Sequence, residues 1–155
     1  MKNQFAIFLV IQTVLFFGFH SLANEVGPND ITAALATLTF YKDALSKKSI
    51  DKMQKFVTTD LTVIEGTHIN TSWADYRDNH IGPEMKEWLS FETVETKNVK
   101  QFFSPQQIVI SEETIYRIKS KKGETRLKAL ETFILIKQGE TWKIALIHFS
   151  GKPLK

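Results

Sequence analysis

The 155-residue chain has no cysteine. Its absence excludes a disulfide framework, a thiolate metal cage, a cysteine nucleophile and a lipid-anchored cysteine together. Glycine and proline are scarce, at 7 and 4 residues, and no glycine run is shaped to cradle a phosphate. No serine sits in a glycine-flanked elbow, so nucleophilic serine chemistry is set aside. Internal repeats, low-complexity tracts and Gly/Ser linkers are missing too. His68, His80 and His148, with Glu65 or Glu84, would have to be gathered by the fold to hold a metal, because no HxxxH or HxH spacing is present. Neither a metal nor a cofactor is expected.

Long apolar runs are limited to one. Lys2 is followed by a nearly unbroken apolar stretch, Phe5 to Phe19, and then by Ser21-Leu22-Ala23. This is the pattern of a secretory signal peptide cleaved after Ala23. The alternative is an uncleaved anchor, since about 17 apolar residues suffice to span a bilayer. The expected product is a single domain, 24–155, periplasmic or secreted, with no stable membrane insertion after signal removal. Losing residues 1–23 removes one lysine and no acidic residue, so 20 basic side chains become 19 against 17 acidic ones, a net +2. That balance, with lysines scattered along the chain, excludes a nucleic-acid partner.

Apolar positions Ile31, Ala34, Leu35, Leu38, Tyr41 and Leu45 recur at helical spacing after Asn29 and Asp30, either of which would cap a helix. A second, shorter stripe (Ile50, Met53, Phe56, Val57) follows Ser49 and is closed by Thr58-Thr59-Asp60. Leu61 to Ile64 then reads as a strand that delivers Glu65 and Gly66. Ser72 with Asp75 three residues on resembles a capping box and starts a third helix, with Trp73, Tyr76 and His80 on one face. Gly82-Pro83 is expected to stop it, with a further helical turn through Met85, Trp88 and Leu89.

Strands are predicted over 91–103, 107–120, 125–137 and 141–150, joined by short turns into an antiparallel meander. This element order is α+β. Glycine at the first central position of a two-residue turn Gly139-Glu140 pairs Gln138 with Thr141. Counting back, Ile144 faces Leu135, Leu146 faces Phe133 and His148 faces Glu131. A turn at Lys122-Gly123-Glu124 brings Tyr116 or Thr114 beside Glu131. The other face carries Ile115, Leu130, Ile134, Ile136, Ile147 and Phe149 and is apolar as well, so a second subunit is expected to cover it, giving a homodimer through the sheet.

Glu65-Gly66, Trp73-x-x-Tyr76-Arg77-x-x-His80 and Trp142-Lys143-Ile144-x-x-x-His148-x-Ser150, taken with the order of elements, resemble the nuclear transport factor 2-like superfamily in its SnoaL-like, ketosteroid-isomerase-like branch. The resemblance extends from about Ile31 to Ser150. It implies a cone-shaped α+β barrel, three N-terminal helices packed on a strongly curved antiparallel sheet, enclosing one apolar pocket. It also implies cofactor-free isomerase, cyclase or dehydratase chemistry on small carbonyl compounds in some members, and binding alone in others.

The stretch Glu65 to Trp88 holds two of the three tryptophans and two of the three mature histidines. The expected ligand-binding set is therefore Trp73, Tyr76, His80, Glu65, His68 and Trp88, with Tyr116 and Tyr41. The expected catalytic set is His148 with Glu131 as base, and His80 and Tyr76 as further donors or acceptors. For each there is a plainer reading: a self-satisfied polar pair at the rim for His148 and Glu131, a helix-capping residue for His80, a solvated loop for His68, and core packing for Tyr41, Trp88, Phe102, Phe103 and Trp142. The sequence leads to an exported protein that binds a small, mainly apolar molecule, or alternatively a cofactor-free lyase or isomerase.

Overall fold

The structure, a computed structural model, describes residues 26–155. The signal segment and its cleavage site lie outside the described residues. Helix α1 (Pro28–Ser46) is followed by the short α2 (Ile50–Met53), which tightens into a 3-10 turn over Gln54–Phe56. Strands β1 (Val57–Glu65) and β2 (His68–Asn70) form a hairpin. Helices α3 (Trp73–Tyr76) and α4 (Gly82–Glu87) come next, and then β3 (Trp88–Phe103), β4 (Gln107–Ser120), β5 (Gly123–Gln138) and β6 (Thr141–Pro153). One six-stranded sheet runs in the order β2-β1-β6-β5-β4-β3. No described helix is long and apolar enough to cross a membrane.

The expected α+β meander is present, and it forms an open cone rather than a closed barrel: β2 and β3 remain edges. Strand β1 lies parallel to β6 and antiparallel to β2. His68, expected in a loop, is on β2. Helix α1 starts earlier than predicted, with Gly27 at the cap position and Pro28 in the first turn. Asp30 does not cap it. Its carboxylate holds Lys137 at 2.7 Å and accepts from the Trp142 indole at 3.2 Å, which ties the start of α1 to the far end of the β5–β6 hairpin.

Curvature comes from ladder defects. Three register shifts in the β3–β4 pairing leave Leu89, Val94 and Val99 without partners, one every five residues. Each extra residue bends and twists the bulged strand, so β3 curls along its length instead of lying flat. All three unpaired side chains point to solvent, where they also make this edge a poor template for another strand.

A fourth shift decides which residues face inward. Glycine at 139 has a positive φ of 60° and the turn pairs Gln138 with Thr141, as expected. Leu135 meets Ile144, also as expected. Ala145 is then an extra residue, and Leu146 meets Ile134, Ile147 meets Phe133, His148 meets Thr132 and Phe149 meets Glu131. A one-residue insertion reverses the side-chain alternation beyond it. The expected pairs Leu146–Phe133 and His148–Glu131 are therefore not formed: Leu146 and His148 lie on the outer face, while Ile147 and Phe149 turn inward.

Inside the cone, Ala34, Leu38, Tyr41 and Ala44 of α1 pack with Leu61, Val63, Ile108, Ile110, Phe133, Leu135 and Ile144. A smaller cluster of Phe91, Tyr116 and Ala129 continues the core toward α4. Between the two lies a space that the core does not fill.

Candidate active site

That space is a cavity of about 310 Å³ lined by seventeen residues from every layer of the fold. Leu45, Val63, Leu127, Ile147 and Phe149 supply apolar wall. Trp88 stacks on Phe91 at 4.7 Å between ring centroids, and Phe91 leans on Tyr116 at 4.8 Å. The ladder runs from the half-buried Trp88 to the buried interior.

At its buried end stand Glu131 and Tyr116. The Tyr116 hydroxyl donates to Glu131 Oε2 at 2.8 Å, and Lys42 Nζ lies 3.6 Å from the same oxygen. Glu112, directly opposite Glu131 on β4, ion-pairs more closely with Lys42. Both carboxylates are under a tenth exposed, 8% for Glu112 and 6% for Glu131. Two adjacent inward carboxylates repel, so the lysine from α1 is needed between them. Removing one member of such a buried set costs about 3–5 kcal/mol, because it strands the remaining charge.

The actual two-residue turn is Lys121-Lys122, since Ser120 pairs with Gly123. Neither Thr114 nor Tyr116 is therefore directly opposite Glu131. Tyr116 reaches it through the length of its side chain.

At the exposed end, the third helix is not stopped by Gly82-Pro83. Pro83 lacks an N–H and would crowd a regular turn, and the chain responds with a wider π-helical turn over Arg77–Ile81 in which the Gly82 N–H bonds back to the Arg77 carbonyl. Any Cβ at position 82 would collide with that carbonyl, so glycine is required. The helix then continues through α4, so that His80 and Glu84, on either side of the expected stop, are neighbours with Nε2 and Oε1 3.6 Å apart. Ser72 caps α3 as predicted, accepting from the Asp75 N–H. The Asp75 carboxylate turns instead to Asn70, Thr71 and Asn79.

Asn70 donates through Nδ2 to Asp75 at 3.1 Å, which leaves its Oδ1 facing His80 Nδ1 at 2.8 Å. Nδ1 therefore carries a proton. The other ring nitrogen lies 3.0 Å from Glu65 Oε2. His80 is thus a proton-sharing link between a buried amide and two carboxylates, Glu65 and Glu84, which line the cavity and are 42% and 47% exposed. Burial pushes the Glu84 carboxyl above the usual range; the charge of His80 opposes this and that of Glu65 adds to it.

Burial likewise holds the Tyr41, Tyr76 and Tyr116 hydroxyls well above the usual phenol range. At neutral pH they stay protonated donors.

Of the predicted ligand-binding residues, Glu65, Tyr76, Trp88, Tyr116 and Tyr41 line the cavity, and so does Glu131. His80 stands behind Glu65 and Glu84. Trp73 is packed in the core, with its ring 6.2 Å from that of Tyr76. His68 is exposed, with its ring edge toward His80. His148 is exposed on the outer face, across the sheet from the cavity, so the expected His148–Glu131 base is corrected. Among the described residues no three His, Asp or Glu side chains are grouped to hold a metal. Sequence reasoning missed Lys42, Glu112 and Asn70 as parts of the polar frame. Glu112 was detectable, because it shares parity with Ile108 and Ile110, and a charge at an inward position needs a partner.

No model of a protein family matches the sequence, and no curated protein matches it. Solved structures do. A candidate ketosteroid isomerase from Shewanella frigidimarina superposes with a TM-score of 0.65 and 20% identity, covering 76% of this chain and 94% of that one. A candidate dehydratase of the NTF2-like family from Streptomyces avermitilis gives 0.70 and 9%, covering 83% and 99%. The hexachlorocyclohexane dehydrochlorinase LinA-type3 from Novosphingobium barchaimii gives 0.63 and 15%, covering 83% and 94%. The chain has the nuclear transport factor 2-like fold. At these identities the likeness establishes the fold alone.

The raised carboxyl of Glu84 has a sign that can be tested. An acid whose folded pKa lies above its unfolded value holds extra protons when folded, so stability falls as pH rises from the ordinary carboxylate range through the raised value. Glu84→Gln removes that loss. In denaturant titrations at pH 4 and pH 7, the variant is expected to gain on the parent as pH rises; a variant that loses ground would show that His80 outweighs burial.

Proposed function

We propose that the domain binds a small, mainly apolar molecule in this cavity. The observation that carries the reading is the cavity itself: apolar and aromatic walls with a few polar groups at two ends, at the small end of the range typical of ligand sites. Filling it tests the reading. Val63 is buried and lines the cavity, and Val63→Phe takes up part of the space. The neutral apolar probe N-phenyl-1-naphthylamine is expected to bind the parent with enhanced fluorescence and to bind the variant about tenfold or more weakly, the loss expected when apolar burial worth about 1.4 kcal/mol is blocked. Equal fluorescence in both proteins would remove the reading.

A second reading is favoured by one observation, the Asn70–His80–Glu65 chain. A carboxylate on the cavity wall that shares a proton with a fixed imidazole is equipped to move protons on a bound carbonyl compound, as a cofactor-free isomerase or lyase does. Some structural neighbours carry isomerase, dehydratase or dehydrochlorinase names, which supports the reading by analogy of fold only. Deuterium incorporation next to the carbonyl of small cyclic ketones, followed by proton NMR, checks it. The parent is expected to exceed buffer, and Glu65→Gln to lose about a hundredfold or more. Exchange that survives both Glu65→Gln and His80→Ala would contradict it.

Export and dimerisation complete the proposal. The apolar run ending at Ala23 supports export. The outer face, where Ile134 pairs with Leu146 and Val109 beside the exposed Leu130, supports a homodimer through the sheet. Protein recovered from an exporting host is expected to have the mass of residues 24–155 and to sediment as a dimer, and Ile134→Glu to sediment as a monomer. A parent that is monomeric at tens of micromolar contradicts the interface.

A further inference from the structure

The charged side chains that line the cavity are of one sign. Glu65, Glu84, Glu87 and Glu131 line it, and among the described residues no lysine, arginine or histidine does. The remaining polar groups on the wall are tyrosine hydroxyls and the Trp88 indole N–H. Nearby cations do not neutralise the acids. Lys42 is shared between Glu112 and Glu131, one cationic side chain between two acidic ones. His80, even when protonated, faces both Glu65 and Glu84. Lys48 donates to the backbone carbonyls of Trp88 and Met85.

Glu131 is the decisive residue. It is 6% exposed, and its contacts with Tyr116 and Lys42 are both made through Oε2. Oε1 accepts no hydrogen bond among the described residues, and the side chain borders the cavity. That oxygen is open to the cavity and free to accept from a ligand's donor. Around it stand the rings of Tyr116, Phe91 and Phe133; Phe91 is packed between Trp88 and Tyr116, and Phe133 already takes a cation, with Lys42 Nζ 5.0 Å from its centroid.

We propose that the ligand is an organic cation: a protonated amine on an apolar body, its ammonium group donating to Glu131 Oε1 among the aromatic rings. This rests on the cavity being a binding site and adds the chemical class of its occupant. Anions are disfavoured by repulsion from four carboxylates, and a neutral isostere loses the charge-assisted bond.

Three probes with one body test the class: 4-phenylbutylamine, 4-phenylbutanol and 4-phenylbutyrate, each displacing N-phenyl-1-naphthylamine from the parent protein. The amine is expected to bind roughly tenfold or more tightly than the alcohol, with the carboxylate weakest. Glu131→Gln is expected to bring the amine-to-alcohol ratio toward one. The parent series decides the class by itself, so the result stands even if the variant does not fold. An alcohol that matches the amine, a carboxylate that binds best, or no displacement by the amine overturns the cation while leaving the cavity as a binding site. Failure of the naphthylamine probe to bind at all overturns the binding site and the ligand class together.

Discussion

The single unpaired residue Ala145 decides what the inside of this protein is made of. Before it, β6 presents Ile144 to the core; beyond it, the alternation is reversed, and Ile147 and Phe149 face the cavity while Leu146 and His148 face out. Without the bulge a histidine would stand beside Glu131. With it, Phe149 takes that position, and the Glu131 carboxylate is held by Tyr116 and Lys42 at the edge of the cavity. The unpaired Leu89, Val94 and Val99 of β3 act on the same sheet in a different way, curling the opposite edge toward the helices. Backbone pairing defects therefore create both the concavity and its lining.

The polar side chains then follow from burial. Adjacent strands β4 and β5 that send Glu112 and Glu131 inward side by side require a cation from the layer above, and α1 supplies Lys42. The helical segment between β2 and β3 must carry Gly82-Pro83, and its π-helical turn brings His80 over Glu65 and Glu84. Asn70, on the β2 edge, fixes the imidazole from behind. The two polar ends differ in kind: one is dry and fixed by a lysine, and the other is half-exposed and organised around a histidine.

Much of this was legible in the sequence, and the rest failed for identifiable reasons. Helical spacing located α1, alternation located the long strands, and the Gly139-Glu140 turn set the hairpin register as far as Ile144. The bulge at Ala145 left no mark, since alanine tolerates either face, and every pairing counted past it was wrong. Gly82-Pro83 read as a helix stop because a π-helical turn is a tertiary accommodation that local propensity does not encode. Glu65, Tyr76, Tyr41, Trp88 and Tyr116, all expected at the ligand, line the cavity. His80 was close to the site but behind it, and Trp73 belongs to the core.

The most direct measurement is a methyl NMR map of the protein with and without N-phenyl-1-naphthylamine, comparing Leu146 with Ile147. These consecutive residues lie on opposite faces of β6, and the bulge at Ala145 decides that Ile147 rather than Leu146 faces the cavity. The expected result is large shifts at Ile147, Val63 and Leu127, with Leu146 and Leu130 unmoved. Shifts at Leu146 and Leu130 with Ile147 silent would contradict both the bulge and the cavity it lines.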